Sequence, residues 1–260
     1  MTQTRVIVGL AETASAGPTL AWAMRQAGRS GAELVVIRAG VGKSTALGTL
    51  SRGGIRALEL VDPALARAVG AARLALGAER VSIVVDRDPP GPVLVRLARP
   101  EDLIVVGAPE TPGWWARAST TYHVATRASC PVIVVHSTGP AGRAPVVVGL
   151  DGSPASRSAI EIGFVFASAH GLPLVAAIGA GAVNDPPAAA AAEIEPWHLK
   201  YPEVPVTTAV LTGTPAEALR RLGTDATLLV VGATGTGLAR LGSVTRDLIE
   251  RAPCPVAIVH

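Results

Sequence analysis

The apolar residues of this chain fall into short blocks of β-branched and aliphatic residues, separated by stretches in which they recur at helical spacing. Arg5-Val6-Ile7-Val8-Gly9-Leu10, Glu33 to Ile37, Val81 to Val85, Leu103 to Val106 and Val132 to Val135 are predicted strands. Thr19 to Arg29, Val93 to Ala98 and Tyr122 to Arg127 are predicted helical. A further helix begins at Asp62-Pro63, with aspartate as cap and proline in the first turn, and runs through Leu65, Val69 and Leu76. The strand blocks are apolar throughout, so they suit strands covered on both faces. Strands alternating with helices predict a parallel sheet with helices on both sides.

The pattern then starts again. Ser137 to Pro145 is rich in glycine and proline and reads as a linker. Beyond it, Val146-Val147-Val148-Gly149-Leu150 echoes Val6-Ile7-Val8-Gly9-Leu10. Leu229-Val230-Val231-Gly232-Ala233 echoes Ile104-Val105-Val106-Gly107-Ala108, and Cys254-Pro255-Val256-Ala257-Ile258-Val259-His260 echoes Cys130-Pro131-Val132-Ile133-Val134-Val135-His136. The order is kept, which marks a duplicated domain, divided at residues 1–140 and 141–260. The first copy carries the longer loop, Ala39 to Leu60, read as a flexible surface loop. The fifth strands, Val132 to Val135 and Val256 to Val259, are apolar sheet edges. They are expected to pair with each other within one chain, making a pseudo-dimer.

The end of the second copy carries the candidate chemistry. Leu228-Leu229-Val230-Val231 runs into Gly232-Ala233-Thr234-Gly235-Thr236-Gly237. Gly242-Ser243-Val244-Thr245 then opens a segment with Val244, Leu248, Ile249 and Ala252 at helical spacing, and Pro253 and Pro255 end it. Glycines after a strand let backbone N–H groups face the space above its carboxyl end, and a helix starting there adds unpaired donors and the positive end of its dipole. This loop is either a phosphate cradle or a tight turn whose glycines serve packing. Gly42-Lys43-Ser44 imitates the end of a P-loop, but the required earlier glycine is Ile37, so it is read as surface loop.

Composition narrows the field. A mean hydropathy of +0.41 is high, yet the longest apolar stretch, Leu172 to Val183, is broken by Pro173, Gly179 and Gly181 and is too short to span a bilayer. The chain opens directly into a strand with no signal-peptide pattern, and cytoplasmic localisation is expected. The net charge of +3 is scattered and aromatics are 3%, which argues against a nucleic-acid surface. Cys130 and Cys254 each precede a proline and a strand, and are read as small buried residues in a reducing compartment.

Three ordered stretches resemble the universal stress protein family, in its tandem two-domain form, over nearly the whole chain. They are Val148-Gly149-Leu150-Asp151-Gly152-Ser153, Thr212-Gly213-Thr214-Pro215-Ala216-Glu217-Ala218-Leu219, and Gly232-Ala233-Thr234-Gly235 with Gly242-Ser243-Val244-Thr245 and the Cys-Pro strand. The resemblance implies an α/β fold of two Rossmann-like domains, each a five-stranded parallel sheet in the order 3-2-1-4-5 with helices on both faces. Ligands of such sheets sit between the first and fourth strands, where the chain reverses direction. It also implies ATP, with Mg²⁺, as ligand. Asp151 would meet adenine or ribose, Val231 and Gly232 would line the adenosine side, and Thr234, Gly235, Gly242, Ser243, Val244 and Thr245 would hold phosphates. Asp151 has a structural reading as well, an Asx-turn with Gly152 and Ser153.

In the ATP-binding branch of the family nine residues separate the second glycine from the Gly-Ser/Thr pair. Here only Thr236 to Leu241 intervene, so the loop is short. Arg240 is placed to approach phosphates. The first copy departs further: Ala11 replaces the aspartate, Glu110 and Ala118 replace two glycines, and Pro109 and Pro112 remove donors. Trp114 and Trp115 occupy the same loop. The first site is therefore expected to be dead. No catalytic or metal-binding residue stands out, since Asp247 and Glu250 read as ordinary helix charges. The expected function is an adenine-nucleotide-binding regulatory module of the stress response, a homo-oligomer with neither nucleic acid nor membrane as partner. The competing readings are an interaction protein that binds no nucleotide and a slow ATP hydrolase.

Overall fold

A computed structural model describes residues 4–10, 16–40, 48–50, 62–110, 119–136, 144–179, 186–233 and 241–260 of the chain. The first half contains β1 (Arg5–Gly9), α1 (Ala16–Ser30), β2 (Glu33–Arg38), β3 (Gly48–Leu50), α2 (Pro63–Leu76), β4 (Val81–Val85), α3 (Pro90–Leu97), β5 (Leu103–Gly107), α4 (Thr120–Arg127) and β6 (Val132–Val135). The second half contains β7 (Val146–Leu150), α5 (Pro154–His170), β8 (Leu174–Gly179), α6 (Pro186–Lys200), β9 (Val206–Leu211), α7 (Pro215–Gly223), β10 (Leu228–Gly232), α8 (Ser243–Arg251) and β11 (Val256–Val259). The Asp62 cap is as expected: its Oδ1 accepts from the Leu65 N–H at 3.0 Å.

All the strands join one sheet in the order β3-β4-β2-β1-β5-β6-β11-β10-β7-β8-β9. Within each half the pairing is parallel in the expected 3-2-1-4-5 order, with one exception. The halves meet where β6 and β11 pair antiparallel, Val134 opposite Val256 and Val132 opposite Ile258. The expected pseudo-dimer is thus a covalent one, and it leaves neither fifth strand as an edge.

The exception corrects the five-stranded, all-parallel expectation for the first copy. Gly48 to Leu50, in the long loop, adds a sixth strand antiparallel to β4, with Gly48 opposite Val85 and Leu50 opposite Ile83. A three-residue strand that opens on a glycine has too little periodicity to be read from sequence. Its pairing is supplied by the open edge of β4. The Gly42-Lys43-Ser44 motif lies outside the described residues.

Two apolar layers sandwich the sheet. Leu20 and Trp22 of α1, Leu65 and Val69 of α2, Phe164 of α5 and Ile194 of α6 cover one face. Leu94 of α3, Tyr122 of α4, Leu219 of α7 and Leu248 of α8 cover the other. Each layer runs through both halves. Side chains reinforce the joint: Trp22 stacks on Phe166 with centroids 6.3 Å apart, and the Tyr122 hydroxyl donates to Glu250 Oε1 at 2.9 Å. His136, at the end of β6, holds the Ile249 carbonyl of α8 through Nε2 at 2.8 Å. A half-buried ion pair ties β1 to β5, with Arg5 Nε 3.1 Å and Nη2 2.5 Å from the two oxygens of Asp102, whose side chain is fully buried.

Candidate functional site

The site is built where β7 and β10 lie side by side, with Val148 opposite Val230. Their carboxyl ends, Leu150 and Gly232, lie on the same edge of the sheet. After β7 the chain makes an Asx-turn: the Ser153 N–H donates to Asp151 Oδ1 at 3.0 Å. Gly152 takes the left-handed φ of +75° that the turn needs. Ser153 then caps α5, its Oγ accepting from the Ser156 N–H at 3.2 Å. Asp151 is exposed, and its Oδ2 accepts no hydrogen bond from a described residue. The structural reading of Asp151 is therefore realised, and it still leaves one carboxylate oxygen free to meet a ligand.

Gly232 fixes the other side. A Cβ at this position would lie 2.7 Å from Ala155 Cβ and 3.0 Å from the Ala155 carbonyl carbon. Only glycine lets the end of β10 pass this close to the first turn of α5. Two bonds then dock the start of α8 onto the same strand end. The Gly242 N–H donates to the Ala233 carbonyl at 2.9 Å, and the Thr245 hydroxyl donates to the Gly232 carbonyl at 2.7 Å. Thr245 is 3% exposed, so its hydroxyl serves the scaffold and only its N–H faces the site. Val231 is likewise a core residue, 4% exposed.

Gly242 occupies the N-cap of α8 and supplies no side chain to it. The N–H groups of Ser243, Val244 and Thr245 donate to no described residue, and the Ser243 side chain is exposed. A helix start of this kind offers three converging donors, the positive end of a dipole and a hydroxyl: the chemistry of an oxyanion site. Thr234, Gly235 and Arg240 lie outside the described residues. The acids of α8 are engaged elsewhere. Asp247 contacts Arg220 at 3.2 Å and Arg251 at 3.0 Å, and Glu250 holds the Tyr122 hydroxyl.

The repeated sheet has counterparts among known proteins. Residues 3–136 and 143–260 each match the Universal stress protein family. The chain belongs to the universal stress protein family. It is 32% identical to Universal stress protein Rv2005c of Mycobacterium tuberculosis over an alignment covering 75% of each chain. Against Universal stress protein Rv2623 of the same organism it is 29% identical over 98% of this chain and 96% of that one. The crystal structure of a universal stress protein from Archaeoglobus fulgidus shares the fold, with a TM-score of 0.77 at 17% identity over 99% of this chain and 96% of that chain.

The two universal stress domains differ at the corresponding helix start. In the first, Ser119 caps α4, its Oγ accepting from the Tyr122 N–H at 3.3 Å, and Glu110 stands exposed on the loop after β5. Thr121 repeats the docking bond of Thr245, donating to the Gly107 carbonyl at 2.7 Å. The scaffold is thus duplicated: Ser119 corresponds to Ser243, and the Tyr122 N–H that Ser119 takes corresponds to the Arg246 N–H, which the Gly242 carbonyl takes. Ala11, Pro112, Trp114, Trp115 and Ala118 lie outside the described residues.

Two polar side chains beside the Asp151 turn had no signal in the sequence. Ser156, 2% exposed, and Glu193 each carry a buried oxygen without a hydrogen-bond partner, and Glu193 Oε1 is 4.0 Å from where a Cβ on Gly152 would stand. Both come from helices whose spacing speaks only of packing.

Proposed function

We propose that this universal stress protein is a regulatory module that binds an adenine nucleotide, ATP with Mg²⁺, in its second domain alone. Asp151, Val231 and Gly232 form the nucleoside side. Thr234, Gly235, Gly242, Ser243, Val244 and Thr245 hold the phosphates, and Arg240 adds a charge. The observation that carries this reading is the uncapped start of α8, docked on the end of β10 while Asp151 follows the neighbouring strand β7; the first copy has Ala11 in place of that aspartate and Glu110 in place of a loop glycine. The donor set suits phosphate oxygens, and Mg²⁺ would be held by those oxygens together with water. Bound nucleotide stabilises the folded state by mass action and so biases assembly or partner choice.

Gly242→Asp tests the reading. An aspartate at the N-cap stabilises α8 by a few tenths of a kcal/mol and complements its dipole. It also sets a carboxylate against the phosphates, and two like charges about 4 Å apart repel by ~4 kcal/mol at an effective dielectric of ~20. The variant should melt no lower than wild type, yet bind ATP roughly a thousandfold more weakly by calorimetry. Unchanged affinity would place the phosphates elsewhere. No binding by wild type at millimolar ATP would favour the interaction-protein reading, which the short Thr236 to Leu241 connection supports.

A further inference from the structure

The duplication supplies an internal comparison at the far edges of the sheet. β4 and β9 are equivalent third strands: Val81 pairs with Leu34 as Val206 pairs with Leu174. In the first domain β3 lies antiparallel along the outer side of β4, opposite Ile83, Val84 and Val85. Those residues correspond to Thr208, Ala209 and Val210 of β9, which has no outer neighbour among the described residues. The consequence is visible in burial. Ile83 is 0% and Val85 1% exposed, whereas Thr208 is exposed and Val210 is 43% exposed. Val206-Thr207-Thr208-Ala209-Val210-Leu211 also contains none of the charges or prolines that blunt a free edge.

We propose that β9 is a dimerisation edge, and that its occupant is the β9 of a second copy of this chain, paired antiparallel. The first domain shows that this edge of the fold takes an antiparallel strand. The sequence of β9 suits itself in that orientation. With Thr208 on the two-fold axis, Thr208 faces Thr208, Val210 of each copy faces Val206 of the other, and Thr207 faces Ala209. Threonine pairs and β-branched pairs are favourable cross-strand neighbours. No charge opposes a like charge, and the interface is isologous and closed. The two-fold also carries the exposed Val210 toward the other copy's α6 terminus, where Leu199 is 79% exposed just ahead of β9. One strand pair buries less than a standard interface, so the dimer is a weak, concentration-dependent one.

Sedimentation velocity on the full chain over a wide concentration range tests this, alongside Thr208→Lys, Thr208→Cys and Thr207→Cys. Residue 208 is exposed, so Thr208→Lys should melt as wild type does. Wild type should shift from monomer to dimer with concentration, and Thr208→Lys should move that midpoint at least tenfold higher. Directly opposed strand residues lie within disulfide reach, so mild oxidation should cross-link Thr208→Cys and leave Thr207→Cys largely unlinked. The native thiols do not compete, since Cys130 and Cys254 are 2% and 0% exposed and burial pushes both up to about 12. A wild type that stays monomeric throughout, a dimer indifferent to Thr208→Lys, or equal cross-linking at residues 207 and 208 would overturn the proposal. A monomer whose β9 edge is taken by some other chain would overturn it too.

Discussion

Replacing Gly232 by alanine probes the packing on which the site rests. The added methyl would stand 2.7 Å from Ala155 Cβ, 3.0 Å from the Ala155 carbonyl carbon and 3.2 Å from the Ser156 nitrogen. Non-bonded carbons settle at about 3.5–4.0 Å, so the shortfall is roughly 1 Å. Two of the three atoms are backbone, and no rotamer change relieves them. The first turn of α5 must move away from β10, at the cost of about 1–3 kcal/mol typical of overpacking. Gly149→Ala is the internal control. Its methyl would meet Val231 Cγ1 at 3.2 Å and Leu219 Cδ1 at 3.3 Å, both side-chain carbons that can yield by a few tenths of an ångström. Urea denaturation should show Gly232→Ala losing about 1–3 kcal/mol and Gly149→Ala clearly less. ATP affinity should fall at least tenfold in Gly232→Ala, because the displaced turn carries Asp151. Wild-type stability in Gly232→Ala, or a larger loss in Gly149→Ala, would refute the close approach of α5 to β10.

Two further outcomes follow from buried polar groups. Asp102→Asn leaves the Arg5 guanidinium without its carboxylate between β1 and β5. Arg5 is partly exposed and keeps the Leu97 carbonyl, so the loss should be about 1–3 kcal/mol, readable as an earlier urea midpoint with an unchanged slope. Burial pushes the His136 imidazole below its ordinary value of 6.5, so the folded state binds fewer protons than the unfolded one just below that pH. Stability should therefore be fully present above pH 6.5 and fall as the pH drops below it. His136→Gln, which keeps a donor for the Ile249 carbonyl, should reduce that slope in denaturation curves taken from pH 7 to 5, the remainder coming from His123, His170 and His260, which burial lowers as well.

Much of this was legible because the chain says most things twice. The matched strand blocks, the linker and the Cys-Pro strands fix two copies and the order of their elements, and apolar fifth strands foretell their pairing. The Asp62 cap and the glycine-opened start at Gly242 rest on local chemistry that reads directly from residue type. What escaped depends on contacts distant in sequence. β3 exists because β4 offers an edge, and nothing in Gly48-Thr49-Leu50 announces it. The Thr245 hydroxyl is claimed by the Gly232 carbonyl, thirteen residues back, a bond that no local pattern announces. Pro186 to Lys200 forms a helix despite Pro196, which its proline- and alanine-rich composition concealed.

The central claim is that one domain of two keeps an open phosphate site. Counting ATP bound per chain at saturation, by calorimetry with Mg²⁺ on nucleotide-free protein, tests it most directly. Asp151 and the open α8 start in the second domain, against Ala11 and Glu110 in the first, predict one ATP per chain. Two per chain would mean that Ala11 and Glu110 do not close the first site, and none would mean that the uncapped α8 start does not bind ATP.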